Sequence, residues 1–213
     1  CIEMTQFLSY MLLSANVINM LPPKDIFSLV IALLTCFIQF DGTNNRYQFE
    51  SETPFGLALP NDSILEKASI VRLIQLMSED RTDLMSLFNN EDQKYIWKLI
   101  FLLIMNSDIT RSTDSFEKAI ERFQTTTLDL GKTEDREILI LMLFRAALMS
   151  VYCRPFLISQ KWHDLEAEEM YLLGDKEEKL HINNTSEFHC RELNNKIEHA
   201  IDKFTNIVIP FYT

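Results

Sequence analysis

The sequence predicts an all-α protein, and three observations carry that expectation. Only 4 Gly and 6 Pro occur in 213 residues, too few turn-formers for a many-stranded sheet. Apolar residues fall in long runs at helical spacing, and no stretch alternates apolar and polar side chains as a half-buried strand does. Hydrophobic residues make up 47% and charged residues 24%, the balance of a folded chain rather than a disordered one.

The elements follow in order. Residues 2–20 read as a helix with Phe7, Leu8, Met11 and Leu12 on one face, broken by Leu21-Pro22-Pro23. Proline suits a first helical turn, so the next helix spans 23–38; it is apolar nearly all round, which implies central burial. Residues 41–62 hold Gly42, Pro54, Gly56 and Pro60 and read as loop with short helical turns. Ser63, with Glu66 three residues on, has capping-box spacing and opens a helix to Met77. Asn90–Met105 is a buried helix entered through Glu91 and Asp92. Ser115–Thr125 is a shorter amphipathic helix, 125–134 a polar loop, and Glu134–Leu148 another apolar helix. Phe156–Leu173 is amphipathic and acidic, with Gly174 placed as its C-cap. Residues 174–190 read as polar and irregular. A last helix covers 192–209, stopped by Pro210.

At 213 residues with no internal repeat, the chain is expected to form one domain, 1–213. The net charge of -11 argues against a nucleic-acid groove or an anionic membrane surface as partner. The longest apolar run, Ile26–Phe40, lies between Asp25 and Asp41 and is shorter than the ~20 residues a membrane span needs; it is read as a core helix, with no membrane insertion. Cys1, Cys36, Cys153 and Cys190 match no Cys-x-x-Cys pattern. Cys36 and Cys153 sit in apolar runs and are expected to be buried free thiols, which points to a reducing, cytoplasmic compartment. The glycosylation-like triplets at Asn61, Asn183 and Asn184 are discounted, since no secretory signal is visible. Opening on Cys1 rather than Met, the chain reads as a fragment.

No nucleophile elbow, Walker loop or Gly-x-Gly-x-x-Gly occurs. The four histidines, His163, His181, His189 and His199, lie in the last quarter of the chain. His181, His189 and Cys190 match no standard zinc spacing and are read as solvated loop residues. Glu166, Glu168 and Glu169 read as a solvated helix face, and the Met and Phe residues at helical spacing as core. From residues alone no active site emerges.

A collinear set of strings is more specific. Asp41-Gly42-Thr43-Asn44-Asn45 follows a buried helix. Ser63-Ile64-Leu65-Glu66 opens another, with Arg72-Leu73-Ile74-Gln75-Leu76-Met77 beyond it. Asn106-Ser107-Asp108-Ile109, Arg154-Pro155, Trp162, Glu168-Glu169 and Leu173-Gly174-Asp175-Lys176-Glu177 complete the set. Together they resemble the catalytic domain of class I 3′,5′-cyclic nucleotide phosphodiesterases over nearly the whole chain. The resemblance implies a compact multi-helix fold of the HD type, lacking the family's N-terminal helices. It also implies an enzyme in which zinc and a second divalent ion, magnesium, activate a bridging water for in-line displacement at phosphorus.

The resemblance places non-ligating residues where that family carries metal ligands. Its first His-Asp pair falls on Cys36 and Phe37, and the second His of that stretch on Phe40. A paired His falls on Ala68 and Ser69, a Glu on Leu102 and the late Asp on Leu148. The purine-reading Gln falls on Ala200 and the clamping Phe on Lys203, or on Phe204 with a one-residue shift. The family's general-acid His would precede Cys1. A thiolate at Cys36 alone cannot hold zinc, which takes three or four ligands.

The expectation is a catalytically inactive phosphodiesterase-like domain with no metal cofactor. Its expected role is structural or interaction-based within a larger assembly, with protein partners that include a homologous phosphodiesterase-like chain. The acidic helix 160–180 and Phe211-Tyr212 are candidate contact surfaces, and cyclic-nucleotide binding is not expected. Two alternatives stay open: an active phosphodiesterase with shifted ligands, and a cyclic-nucleotide sensor without hydrolysis.

Overall fold

A computed structural model describes all residues except 60, 61, 80, 126, 183–185, 194 and 213, and the side chains of 109–115 and 123 also lie outside the description. The triplets at Asn61, Asn183 and Asn184 therefore fall outside the described residues. Eleven α-helices and no strand occur among the described residues: α1 (Ile2–Ser14), α2 (Pro23–Thr35), α3 (Asn45–Glu50), α4 (Pro54–Ala58), α5 (Ile64–Met77), α6 (Asn90–Met105), α7 (Ile109–Thr125), α8 (Thr133–Leu148), α9 (Phe156–Lys179), α10 (Lys196–Lys203) and α11 (Ile209–Tyr212). Among them none is long and apolar enough to cross a membrane.

The chain divides into two units, Cys1–Gln39 with Leu65–Leu148, and Phe40–Ile64 with Met149–Thr213. In the first, α6 packs along α2, and α8 packs against α1, α2 and α6. Leu29, Leu33, Ile100, Leu103, Ile104, Ile140 and Phe144 are fully buried there, each worth about 1.5–3 kcal/mol in apolar burial. Asn89 caps α6, its Oδ1 accepting from the amides of Glu91 (3.0 Å) and Asp92 (2.9 Å), so the entry read as acidic is built on an Asn N-cap.

Two charged contacts tie this unit together. Asp25, fully buried in the first turn of α2, accepts from Arg136 Nε at 3.1 Å. Asp135 receives both Nε (3.0 Å) and Nη2 (2.7 Å) of Arg122, and the Asp129 amide at 2.8 Å. That amide first, and then Arg122, hold the Asp135 carboxyl below the usual carboxylate range despite its burial.

In the second unit, Gly42 has φ +75, a left-handed conformation that favours glycine. It opens the turn that leads to Asn44, whose Oδ1 caps α3 by accepting from the Tyr47 amide at 2.7 Å. The long helix α9 packs against the turn Ser150–Cys153 before it and the turn Glu187–His189 after it.

Several boundaries differ from the sequence reading, each for a local reason. The first helix stops at Ser14 because Asn16 turns left-handed at φ 55. Ser63 also has φ 55 rather than the extended backbone of an N-cap. Ile109–Thr125 begins earlier than its amphipathic pattern suggested. Pro210 does not end the last helix: Phe204–Val208 form a π-helical segment and α11 continues beyond it. A proline ring clashes with the carbonyl four residues back, here Asn206, and the wider π turn relieves that clash.

Gly174 does not cap α9, which runs on to Lys179. A Cβ on Gly174 would lie 2.1 Å from the His189 carbonyl oxygen. Its missing side chain thus lets the 187–189 turn lie against the helix. Gly174→Ala is expected to destabilise the protein by about 1–3 kcal/mol or more, since the clash is with backbone that cannot rotate away. Urea denaturation followed by circular dichroism checks it.

Candidate functional site

The positions matched to metal ligands lie on α2, α5, α6, α8 and the turn after α2. Cys36 follows the last turn of α2 and belongs to the apolar core of the first unit. Its thiol donates to the Leu33 carbonyl at 3.6 Å. Burial pushes that thiol up to about 12, so with no metal at hand it is a thiol rather than a thiolate at neutral pH. Leu102 and Leu148 pack against the same core. Ala68 and Ser69 are buried on α5, and the Ser69 hydroxyl accepts the Gln39 amide at 3.4 Å. Phe37 is 37% exposed and does not join that buried set. Phe40 belongs to the other unit and has an exposed ring.

The donor chemistry at these positions is poor, whether they are buried or exposed. Phe37, Phe40, Ala68, Leu102 and Leu148 bring no lone pair, Cys36 is held as a thiol, and one serine hydroxyl remains. A zinc site needs three or four nitrogen, sulfur or carboxylate donors, so these residues do not fit the metal pair that the resemblance implies.

The two positions matched to purine readers lie three residues apart on α10 and so face the same way. Ala200 offers a methyl group only. Lys203 is held in a polar cluster within the second unit, its side chain 13% exposed. Its ammonium contacts Glu166 Oε1 on α9 and donates to the Tyr152 hydroxyl at 3.0 Å. Tyr152 in turn donates to the Glu166 carboxylate at 2.9–3.0 Å. Phe204, the alternative clamp position, meets the Tyr152 ring edge-on at 5.8 Å.

Burial alone would raise the Glu166 carboxyl, but Lys203 and then Tyr152 outweigh it and hold it below the usual carboxylate range. Burial and the Glu166 charge push the Tyr152 phenol well above its ordinary value. At neutral pH the cluster is therefore carboxylate, ammonium and phenol.

Two histidines border it. His163 lies one turn before Glu166 on α9, with Nδ1 3.8 Å from Glu166 Oε2 and Nε2 2.8 Å from the Lys196 carbonyl. Its ring stacks on His199 with centroids 5.5 Å apart, and Phe188 lies on His199 at 4.9 Å. Burial, then Lys203, lowers the His199 pKa. The Lys196 ammonium pairs with Asp164 at 2.9 Å, which anchors the start of α10 to α9.

Here the sequence reading is corrected. Glu166 is half-buried and not on a solvated face like Glu168, whose carboxylate meets Arg191 at 3.0 Å near the surface; Glu169 is exposed as read, its carboxyl raised by desolvation and then by Glu166. His189 is not a solvated loop residue either. It is buried, with Nδ1 3.0 Å from Glu177 Oε2. Reasoning from sequence missed Tyr152, His163 and His199. The one usable signal was the three-residue spacing of His163 and Glu166, which puts both on one helix face.

Two outcomes follow. Cys36 is buried as its apolar run suggests, but Cys153 is exposed, because it ends the turn before α9 rather than a core helix; iodoacetamide at pH 8 should label Cys1 and Cys153 and spare Cys36, read by peptide mass spectrometry. Glu166→Gln, which leaves the Lys203 ammonium half-paired, should cost about 1–3 kcal/mol. For the wild type, a depressed carboxyl contributes stability that is fully present above the unfolded Glu value of about 4.3. That contribution is lost as pH falls through the lower folded value, and Glu166→Gln should abolish it. Thermal melts from pH 7 to 3 check both.

A profile of the family described as 3′5′-cyclic nucleotide phosphodiesterase matches residues 1–213. The cGMP-specific 3′,5′-cGMP phosphodiesterase 3 of Dictyostelium discoideum is 27% identical over 177 residues, covering 83% of this chain and 38% of that protein. The 3′,5′-cyclic-nucleotide phosphodiesterase regA of the same organism is 22% identical over 169 residues, 79% of this chain and 21% of that protein. The cGMP-specific 3′,5′-cyclic phosphodiesterase of Drosophila melanogaster is 22% identical over 182 residues, 85% of this chain and 16% of that protein. The chain thus spans well under half the length of these relatives. The solved structure of LmjPDEB1 in complex with IBMX superposes with a TM-score of 0.91 at 20% identity, covering 99% of this chain and 63% of that one. That likeness shows the fold.

Proposed function

The chain belongs to the 3′,5′-cyclic nucleotide phosphodiesterase family, and from that premise we propose that it is a catalytically inactive member. Its role is structural or interaction-based, within a larger cytoplasmic assembly. The observation that carries this reading is the chemistry at the matched metal positions. Cys36 is a buried protonated thiol, Ala68 and Ser69 are buried on α5, and Leu102 and Leu148 pack against the apolar core. Phosphoryl transfer by two metals needs the attacking oxygen and the leaving oxygen both held by ions, and these side chains hold none. Replacing a buried charged cluster by well-packed apolar groups is often neutral or stabilising by about 1–4 kcal/mol, so the fold loses nothing by the exchange.

The purine-reading side agrees. Ala200 cannot donate or accept a hydrogen bond to a base edge, and Lys203 is engaged by Glu166 and Tyr152. A ring entering there would have to displace a half-buried ion pair. An interaction role is supported by the apolar side chains that α9 and α10 expose, among them Phe156, Leu157, Leu165, Ile197 and Ile201. Exposed apolar surface is what a protein partner, including a homologous chain, would cover.

The test is a hydrolysis assay with cyclic AMP and cyclic GMP in magnesium, manganese and zinc, beside equilibrium binding of both nucleotides. No turnover above buffer and no saturable binding are expected. Metal-dependent turnover would overturn the reading in favour of an active enzyme, and binding without turnover would make the chain a sensor.

A further inference from the structure

We propose that His163, Glu166 and His199 form a binding site for one divalent transition-metal ion, zinc foremost, at positions other than those the family's metals would use. The ligand atoms of the three residues all lie within 4.8 Å of one another. They come from α9 and α10 of one unit, with Glu166 one turn beyond His163. Two imidazoles and one carboxylate are a three-ligand zinc set that leaves a fourth position for water. The set is too poor in oxygen for calcium or magnesium.

Two further observations point to a ligand. His199 is only 8% exposed, and its Nδ1 is buried with no hydrogen-bond partner among the described residues. Buried polar atoms are rarely left in that state, and a cation satisfies a ring nitrogen that nothing else reaches. His163 is already oriented. Its Nε2 faces the Lys196 carbonyl at 2.8 Å, and a carbonyl only accepts, so Nε2 carries the hydrogen. Nδ1 keeps its lone pair and lies 3.8 Å from Glu166 Oε2. A ring N–H given to a backbone carbonyl, with the other nitrogen free, is how ligating histidines are commonly held.

The donors stand wider than a closed site, since zinc bonds of about 2.0–2.2 Å bring ligands closer together. Small rotations of the two imidazoles close the gap. Lys203 is the built-in competitor. Its ammonium holds Glu166 Oε1, while Oε2, which also meets the Tyr152 hydroxyl at 2.9 Å, faces His163 and is the oxygen offered to the metal, so two cations share one carboxylate. That arrangement predicts a site weaker than a structural zinc centre, and one that strengthens when the ammonium is removed.

The test strips the protein with a chelator and titrates it with cobalt(II), then zinc displaces the cobalt. Visible d–d absorption and competition against a chromophoric chelator are the readouts. One cobalt per chain is expected, without the intense sulfur-to-metal band that cysteine ligation would give. His163→Gln and His199→Gln should each weaken binding by about tenfold or more, and Lys203→Met should tighten it. Circular dichroism checks each variant for folding. If His199→Gln does not fold, His163→Gln, whose ring lies nearer the surface, carries the loss arm. No saturable binding, affinity unchanged in both histidine variants, or weaker binding in Lys203→Met would overturn the proposal. The readouts involve no cyclic nucleotide, so this proposal and the inactive-enzyme reading can fail separately.

Discussion

The packing of α6 along α2 is the constraint on which the first unit depends. Both helices are apolar over more than one face, so α8 and α1 are drawn in to cover much of what their mutual contact leaves. Leu29, Leu33, Ile100, Leu103 and Ile104 fill that interface without a polar atom among their side chains. Buried charge is paired here, Asp25 with Arg136 through Oδ2 and Asp135 with Arg122. Within this rule the matched metal positions are consistent core chemistry. A carboxylate at Leu102 or Leu148 would need a cation to balance it, and a leucine needs only neighbours.

The second unit follows a different rule. Its helices α9 and α10 are amphipathic, and the contact between them is polar: Glu166, Lys203, Tyr152, His163 and His199 rather than leucine against leucine. In such a network a member left without a partner is costly, and the buried Nδ1 of His199 is the one such atom among these five residues. Lys203 and Tyr152 complete Glu166, and Lys196 anchors His163. Gly174 serves the same unit by another means. It removes a side chain so that the His189 backbone can close on α9, which brings the buried His189–Glu177 pair within 3.0 Å.

The parts of this architecture legible in the sequence are those set by neighbours along the chain. The apolar runs of α2, α6 and α8 announced buried helices, Pro23 marked a start, and Asp41–Asn45 marked a turn at which Gly42 takes a positive φ. Residues that depend on distant partners were read wrongly. Gly174 looks like a cap because its reason for being glycine, the His189 carbonyl, lies fifteen positions away. Pro210 looks like a stop because a π segment is not written in any single residue. Glu166 looks solvated because its cation comes from Lys203, on another helix. The string of phosphodiesterase-like motifs identified the family, yet nothing in it marked the polar cluster.

That difference bears on how function is to be read in a chain of this kind. A fold shared at a TM-score of 0.91 constrains where helices lie, and it leaves the chemistry of each position to the side chain there. At Cys36 the same helix end that could present a ligand presents a thiol raised by burial, and at Lys203 a position suited to a ring presents an ammonium. The first change subtracts chemistry, because a buried thiol beside leucines has no ion to serve. The second adds it, because an ammonium inside a helix pair demands a carboxylate. That carboxylate is then within reach of two imidazoles, one of which has an Nδ1 with no hydrogen-bond partner among the described residues. The poor donor set at one group of positions and the polar cluster at another are thus separate physical matters, each explained by what its own neighbours can satisfy.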